Sequence, residues 1–82
     1  DSKLIKKEEL IRQLSNENLS SDLVKDCISF KKEYNDNSLI EKIIDISNDD
    51  SVLNKFTGND FGKRIRTRAN QKLKKVKTAG NN

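Results

Sequence analysis

The sequence predicts an all-α fold, a compact bundle of four to five short helices closed by a long basic C-terminal helix. Three observations carry that expectation. None of the 82 residues is proline, so no position breaks a helix through a missing N–H. Apolar residues recur near a 3.6-residue period in successive stretches, and no strict alternation marks a strand. Asn-, Asp- and Ser-rich turns of about three to five residues join the stretches, and linkers that short make neighbouring helices pack antiparallel or at steep angles.

The first helix is expected from Ser2 to Leu14. Leu4, Ile11 and Leu14 share a face, with Ile5 and Leu10 beside it, and Ser2 can act as N-cap. Ser15 to Leu19 ends it. Ser20 or Ser21 caps the second helix, whose first turn holds Asp22, where a negative charge is favoured. Leu23, Cys27, Phe30 and Tyr34 form its stripe, flanked by Val24 and Ile28, and Asn35-Asp36-Asn37 breaks it. Ser38 and Glu41 have the spacing of a capping box, a hydroxyl at N-cap and a carboxylate three residues on. The third helix then carries Leu39, Ile40, Ile43, Ile44 and Ile46, and reads as central. Val52, Leu53 and Phe56 suggest a fourth helix of two turns, closed by Gly58 as a left-handed residue.

The last helix is expected from Asn59 to Lys77, capped by Asn59 or Asp60. Phe61, Ile65, Ala69, Leu73 and Val76 form one stripe over about four turns. Around it stand Lys63, Arg64, Arg66, Arg68, Lys72, Lys74, Lys75 and Lys77, with no acid among them. Residues 1–77 are expected to form a single, monomeric domain, followed by a frayed tail over 78–82.

Charge is distributed unevenly. The net charge is +4. Residues 1–60 hold all thirteen acids and nine of the seventeen Lys/Arg, a net −4, while residues 61–82 hold eight bases and no acid, a net +8. The basic helix therefore has four readings: a solvated face, a nucleic-acid contact, a surface for an acidic protein, or a nuclear import signal. The four aromatics, Phe30, Tyr34, Phe56 and Phe61, all fall on apolar stripes, which leaves none to stack on bases.

Several chemistries find no residues here. The chain has no histidine and one cysteine, so a histidine base, a Cys/His zinc site and an internal disulfide are all excluded. Asp45, Asp49 and Asp50 lack the alternating ligands, central glycine and closing glutamate of a calcium loop. Gly58 to Gly62 lacks the Lys-Ser/Thr ending of a phosphate loop. No apolar run reaches the length of a membrane span. No enzyme activity, catalytic residue, metal or cofactor is expected, and no membrane partner.

Val52-Leu53-Asn54-Lys55-Phe56, followed by Phe61, Ile65, Ala69 and Leu73 on a closing helix, resembles the N-terminal (LW) domain of the transcription elongation factor TFIIS and its relatives, including the integrase-binding domain of LEDGF. The resemblance covers roughly residues 19–77. It implies a non-catalytic nuclear docking module of the transcription or chromatin machinery, holding short motifs of disordered partners, often acidic segments with an aromatic or aliphatic anchor. It also implies contacts from two interhelical loops. The matching positions are Glu17 in the first loop, and Lys55 and Phe56 before the closing helix. The alternative is a nucleic-acid-binding domain whose contacts are the eight cations of the last helix, binding weakly and without base preference.

Overall fold

The computed structural model describes residues 2–15 and 19–80, apart from the side chains of 78–80. The fold is all-α. Among the described residues there are five α-helices and no strand: α1 (Ser2–Ser15), α2 (Ser21–Tyr34), α3 (Ser38–Ile46), α4 (Asp50–Asn54) and α5 (Gly62–Gly80), with a 3-10 turn over Asn59–Phe61. The chain divides into two compact units, Asp1–Ile43 and Ile44–Asn82, and the boundary falls inside α3.

In the first unit α1 packs against α2. The choice of cap for α2 falls to Ser20, whose hydroxyl accepts the Leu23 N–H at 3.1 Å. Leu23, Val24, Cys27 and Phe30 are buried, and the helix ends at Asn35 in the left-handed conformation with φ 53°. Burial together with the neighbouring Asp26 carboxylate pushes the Cys27 thiol up to about 11, which makes it a core hydrophobe.

The expected face of α1 is corrected at its N-terminal half. Leu10 and Leu14 are buried, but Leu4 and Ile5 are 55% and 65% exposed. The inward line runs instead through Lys3, Lys7, Leu10 and Leu14, at steps of four, three and four. Lys7 pairs with Asp36 at 3.1 Å and Lys3 with the same carboxylate at 3.6 Å. The Lys3 ammonium also lies 5.9 Å from the centre of the Tyr34 ring. Charge therefore fixes the first turns of α1 where apolar contact was expected. Ser2 is already a helical residue rather than a cap preceding the helix.

The expected capping box at α3 is also rearranged. The Ser38 hydroxyl and N–H both donate backward, to Asp36 Oδ1, at 2.6 and 2.9 Å. The Glu41 N–H meets the Asn37 carbonyl at 2.9 Å. These Ser38 donors, aided by Lys7, hold the Asp36 carboxyl below the usual carboxylate range.

In the second unit the same device recurs at Asp49-Asp50-Ser51. The Ser51 N–H and hydroxyl donate to Asp49 Oδ1 at 2.9 and 2.7 Å and start α4. Gly58 is not left-handed: its φ and ψ are −78° and 169°. The end of α4 needs no such residue, because the Lys55 N–H meets the Val52 carbonyl and the Thr57 hydroxyl meets the Asn54 carbonyl at 2.9 Å. Gly62, at φ 81°, makes the turn from the 3-10 segment into α5. α5 therefore starts three residues later than expected, and its backbone continues three residues beyond Lys77.

Candidate interaction surface

α5 is built from two opposed faces. Ile65, Ala69 and Leu73 are buried, with Phe61 and Val76 half-buried at the ends of the same stripe. α5 packs on α4 and on the 3-10 turn that precedes it. A residue four positions on lies on the same side of a helix, so Lys63, Thr67, Gln71 and Lys75 form one outer line. All four are exposed, as are Arg64 and Lys74 beside them. Lys63, Arg64, Thr67, Arg68 and Gln71 line a shallow groove along this face.

The cations on the flanks of α5 are occupied differently. Arg68 holds the Asp45 carboxylate in two-point fashion, with its Nη2 at 2.9 Å from Oδ2 and its Nε at 3.2 Å from Oδ1. Lys72 donates to the Asp45 carbonyl at 2.7 Å, within the last turn of α3, where carbonyls lack helical partners. Arg66 donates to Asn59 Oδ1 at 2.6 Å. The eight cations expected to act together on nucleic acid therefore divide. Lys63, Arg64, Lys74, Lys75 and Lys77 are exposed, and Arg66, Arg68 and Lys72 are half-buried.

The loop positions fare unevenly. Lys55 is exposed at the end of α4. Phe56 is fully buried, its ring edge-on to Phe61 with centres 5.2 Å apart. It belongs to the core, and the apolar foothold expected for an aromatic anchor is not on the surface at that position. Glu17 lies outside the described residues. Among the described residues no cluster of three or more His, Cys, Asp or Glu side chains is placed to hold a metal. No helix among them is long and apolar enough to cross a membrane.

Two features of this surface escaped the sequence reading. Thr67 and Gln71 are neutral members of an otherwise cationic line, and the step-of-four spacing from Lys63 to Lys75 carries the signal for them. Asp45 is the other. Its partner lies 23 residues away, and no local pattern marks that pairing.

No family model, curated protein or solved structure matches the chain.

Proposed function

We propose that this chain is a non-catalytic protein-docking domain that takes a short acidic segment of a disordered partner on the outer face of α5. The observation that carries the reading is the composition of that face: a groove lined by Lys63, Arg64, Thr67, Arg68 and Gln71, exposed Lys74 and Lys75 further along the helix, and no acid anywhere on α5. Carboxylates of a partner find charge there and hydrogen-bond donors between the charges. Phe30 and Phe56 are fully buried, and half-buried Tyr34 and Phe61 are each in ring contact with one of them. Base stacking thus has no evident platform, and this favours an acidic peptide over single-stranded nucleic acid. The resemblance of Val52–Phe56 and the α5 stripe to TFIIS N-terminal domains supports a setting in nuclear transcription or chromatin factors. The docking position moves from Phe56 to α5, and Lys55 remains an exposed cation that can extend it.

The test is a nitrogen–proton spectrum titrated separately with an acidic peptide and with duplex DNA. Saturable shifts along Lys63, Thr67, Gln71 and Lys74 with the peptide are expected, weakening as salt rises. Saturable binding of duplex with none of the peptide would replace this reading with the nucleic-acid one.

A further inference from the structure

Resting on the docking reading above, we infer that the α5 face continues past Arg68 into a cleft against the end of α3, which takes one carboxylate side chain of the acidic segment. In the free protein Asp45 occupies that subsite as a stand-in for the partner's acid. Arg68 and Gln71 line both the outer groove and the cleft, whose other walls are Ile44, Asp45, Lys72 and Lys75. The cleft measures about 250 Å³, room for several waters at about 30 Å³ each and so for a carboxylate side chain. Its charges do not balance: the cations Arg68, Lys72 and Lys75 stand against the single acid Asp45, three minus one, a net +2. One carboxylate among three cations leaves the cleft attractive to a second anion.

The way Asp45 is held makes it displaceable. Nη2 of Arg68 lies 2.9 Å from Oδ2 and 3.1 Å from Oδ1, and Nε lies 3.2 Å from Oδ1. This is the fork that a guanidinium offers to any carboxylate, so an Asp or Glu of a partner fits it as Asp45 does. The Arg68 and Asp45 side chains are 41% and 55% exposed. Pairs this exposed are weak, and the Asp45 carboxylate can turn into water without leaving a buried charge behind. The cleft does not depend on the pair either. Lys72 donates to the backbone carbonyl of Asp45, not to its carboxylate, so this link between α5 and α3 stays when the side chain turns away. A ligand carboxylate on Arg68 therefore replaces one already in place, and the exchange lowers affinity by the worth of the pair, at most about fivefold. Asp45 thereby sets a threshold. A segment with one acid gains little from Arg68, whereas one with several acids, held by other cations of the face at the same time, displaces Asp45.

The experiment uses the whole chain and a fluorescent peptide with several Asp residues in a flexible Gly-Ser background, titrated near physiological salt and followed by anisotropy. Asp45→Asn should tighten binding about two- to fivefold by removing the competitor. The substitution also raises the net charge by one, so Asp50→Asn, at an exposed acid of the same unit, serves as the charge control. As a screened change outside the cleft it should tighten binding by less than about twofold. Arg68→Gln should weaken binding about two- to fivefold, and in that background Asp45→Asn should do no more than Asp50→Asn. A nitrogen–proton spectrum gives a reading that does not depend on affinity. The Arg68 Nε–H signal of the wild-type chain should shift when peptide is added. In Asp45→Asn the signal of the free protein should already have moved, and peptide should return it toward the wild-type position. Circular dichroism checks that each variant is folded, and Asp45→Ser gives the same comparison if Asp45→Asn does not fold. If Asp45→Asn binds no tighter than Asp50→Asn, or binds more weakly because Asp45 holds Arg68 in place for the ligand, the stand-in is overturned and acidic docking is left standing. A gain from Asp45→Asn that persists undiminished in Arg68→Gln would overturn it as well. Failure of the peptide to bind any form of the chain would overturn the docking reading itself.

Discussion

Ile65 and Lys63 stand two positions apart on α5, and they answer to different forces. Ile65 is fully buried, so Ile65→Ala removes packed methyl groups and is expected to cost about 2–5 kcal/mol in urea or thermal unfolding. That is a large share of what a domain of this size has to spare. Lys63 is exposed, and Lys63→Ala should stay within about 0.5 kcal/mol. Similar, negligible effects of the two would mean that the stripe is not a core. Asp36 offers a test with a pH axis. Its carboxyl accepts from the Ser38 hydroxyl and N–H and pairs with Lys7, which lowers its pKa. A carboxyl that is more acidic folded than unfolded contributes stability that is complete above the unfolded value of about 3.9 and fades as pH falls through the folded one. Asp36→Asn should therefore destabilise the protein at pH 7, by roughly 1.5–3 kcal/mol for hydrogen bonds to a charged group. The gap between wild type and variant should begin to narrow below about pH 4. Urea curves at pH 7 and pH 3 decide it, and a gap that widens in acid would contradict the assignment.

At the scale of elements, the helices were legible where periodicity is the only force that matters. The stripe Leu23, Cys27, Phe30 marks α2, and Ile65, Ala69, Leu73 marks α5, because buried positions on a helix must repeat near 3.6 residues. Legibility fails where a polar contact replaces an apolar one. Leu4 looks inward by spacing, yet the inward line of α1 is taken by Lys3 and Lys7, because Asp36 waits across the unit and no local pattern announces it. Phe56 in the short motif Leu53-Asn54-Lys55-Phe56 could be read as anchor or as core, and its full burial, edge-on to Phe61, settles it as core. The cationic face was legible as charge. The tie from Arg68 to Asp45 was not, since the pair spans 23 residues. The glycines show the same limit: Gly58 and Gly62 lie four residues apart, and backbone geometry alone separates them. Gly58 has φ −78° and nothing within 4 Å of an added Cβ, so Gly58→Ala should stabilise by about 0.4–1 kcal/mol through the unfolded chain. Gly62, at φ 81° and ψ 168°, lies in a region essentially reserved for glycine, and Gly62→Ala should cost about 1–3 kcal/mol. Thermal unfolding of the two variants gives the comparison, and equal shifts would place the turn into α5 elsewhere.

For the whole molecule the governing quantity is charge and how it depends on solution conditions. Residues 61–82 carry +8 and residues 1–60 carry −4, so a partner with carboxylates is drawn to one part of the chain and turned away from the rest. Salt and pH should act differently on that attraction. Rising salt screens exposed charges directly, since the screening length falls from about 10 Å at 0.1 M to about 3 Å at 1 M. Affinity for an acidic peptide should therefore drop steadily with ionic strength. Mild pH changes have few ways to intervene. Histidine is the side chain whose ordinary charge change falls between about pH 5 and 8, and this chain has none. Its single thiol, Cys27, is buried and pushed up to about 11. Docking of a peptide that carries only Asp as its acid should accordingly be flat from pH 6 to pH 8 at fixed ionic strength, within about twofold in Kd, a difference worth well under 1 kcal/mol. Calorimetric titrations at the two pH values and at two salt concentrations test both halves of the expectation. Affinity that is insensitive to salt but changes steeply between pH 6 and pH 8 would mean that binding depends on a proton from the partner or from the chain terminus, and that the fixed cations of α5 are not what holds the ligand.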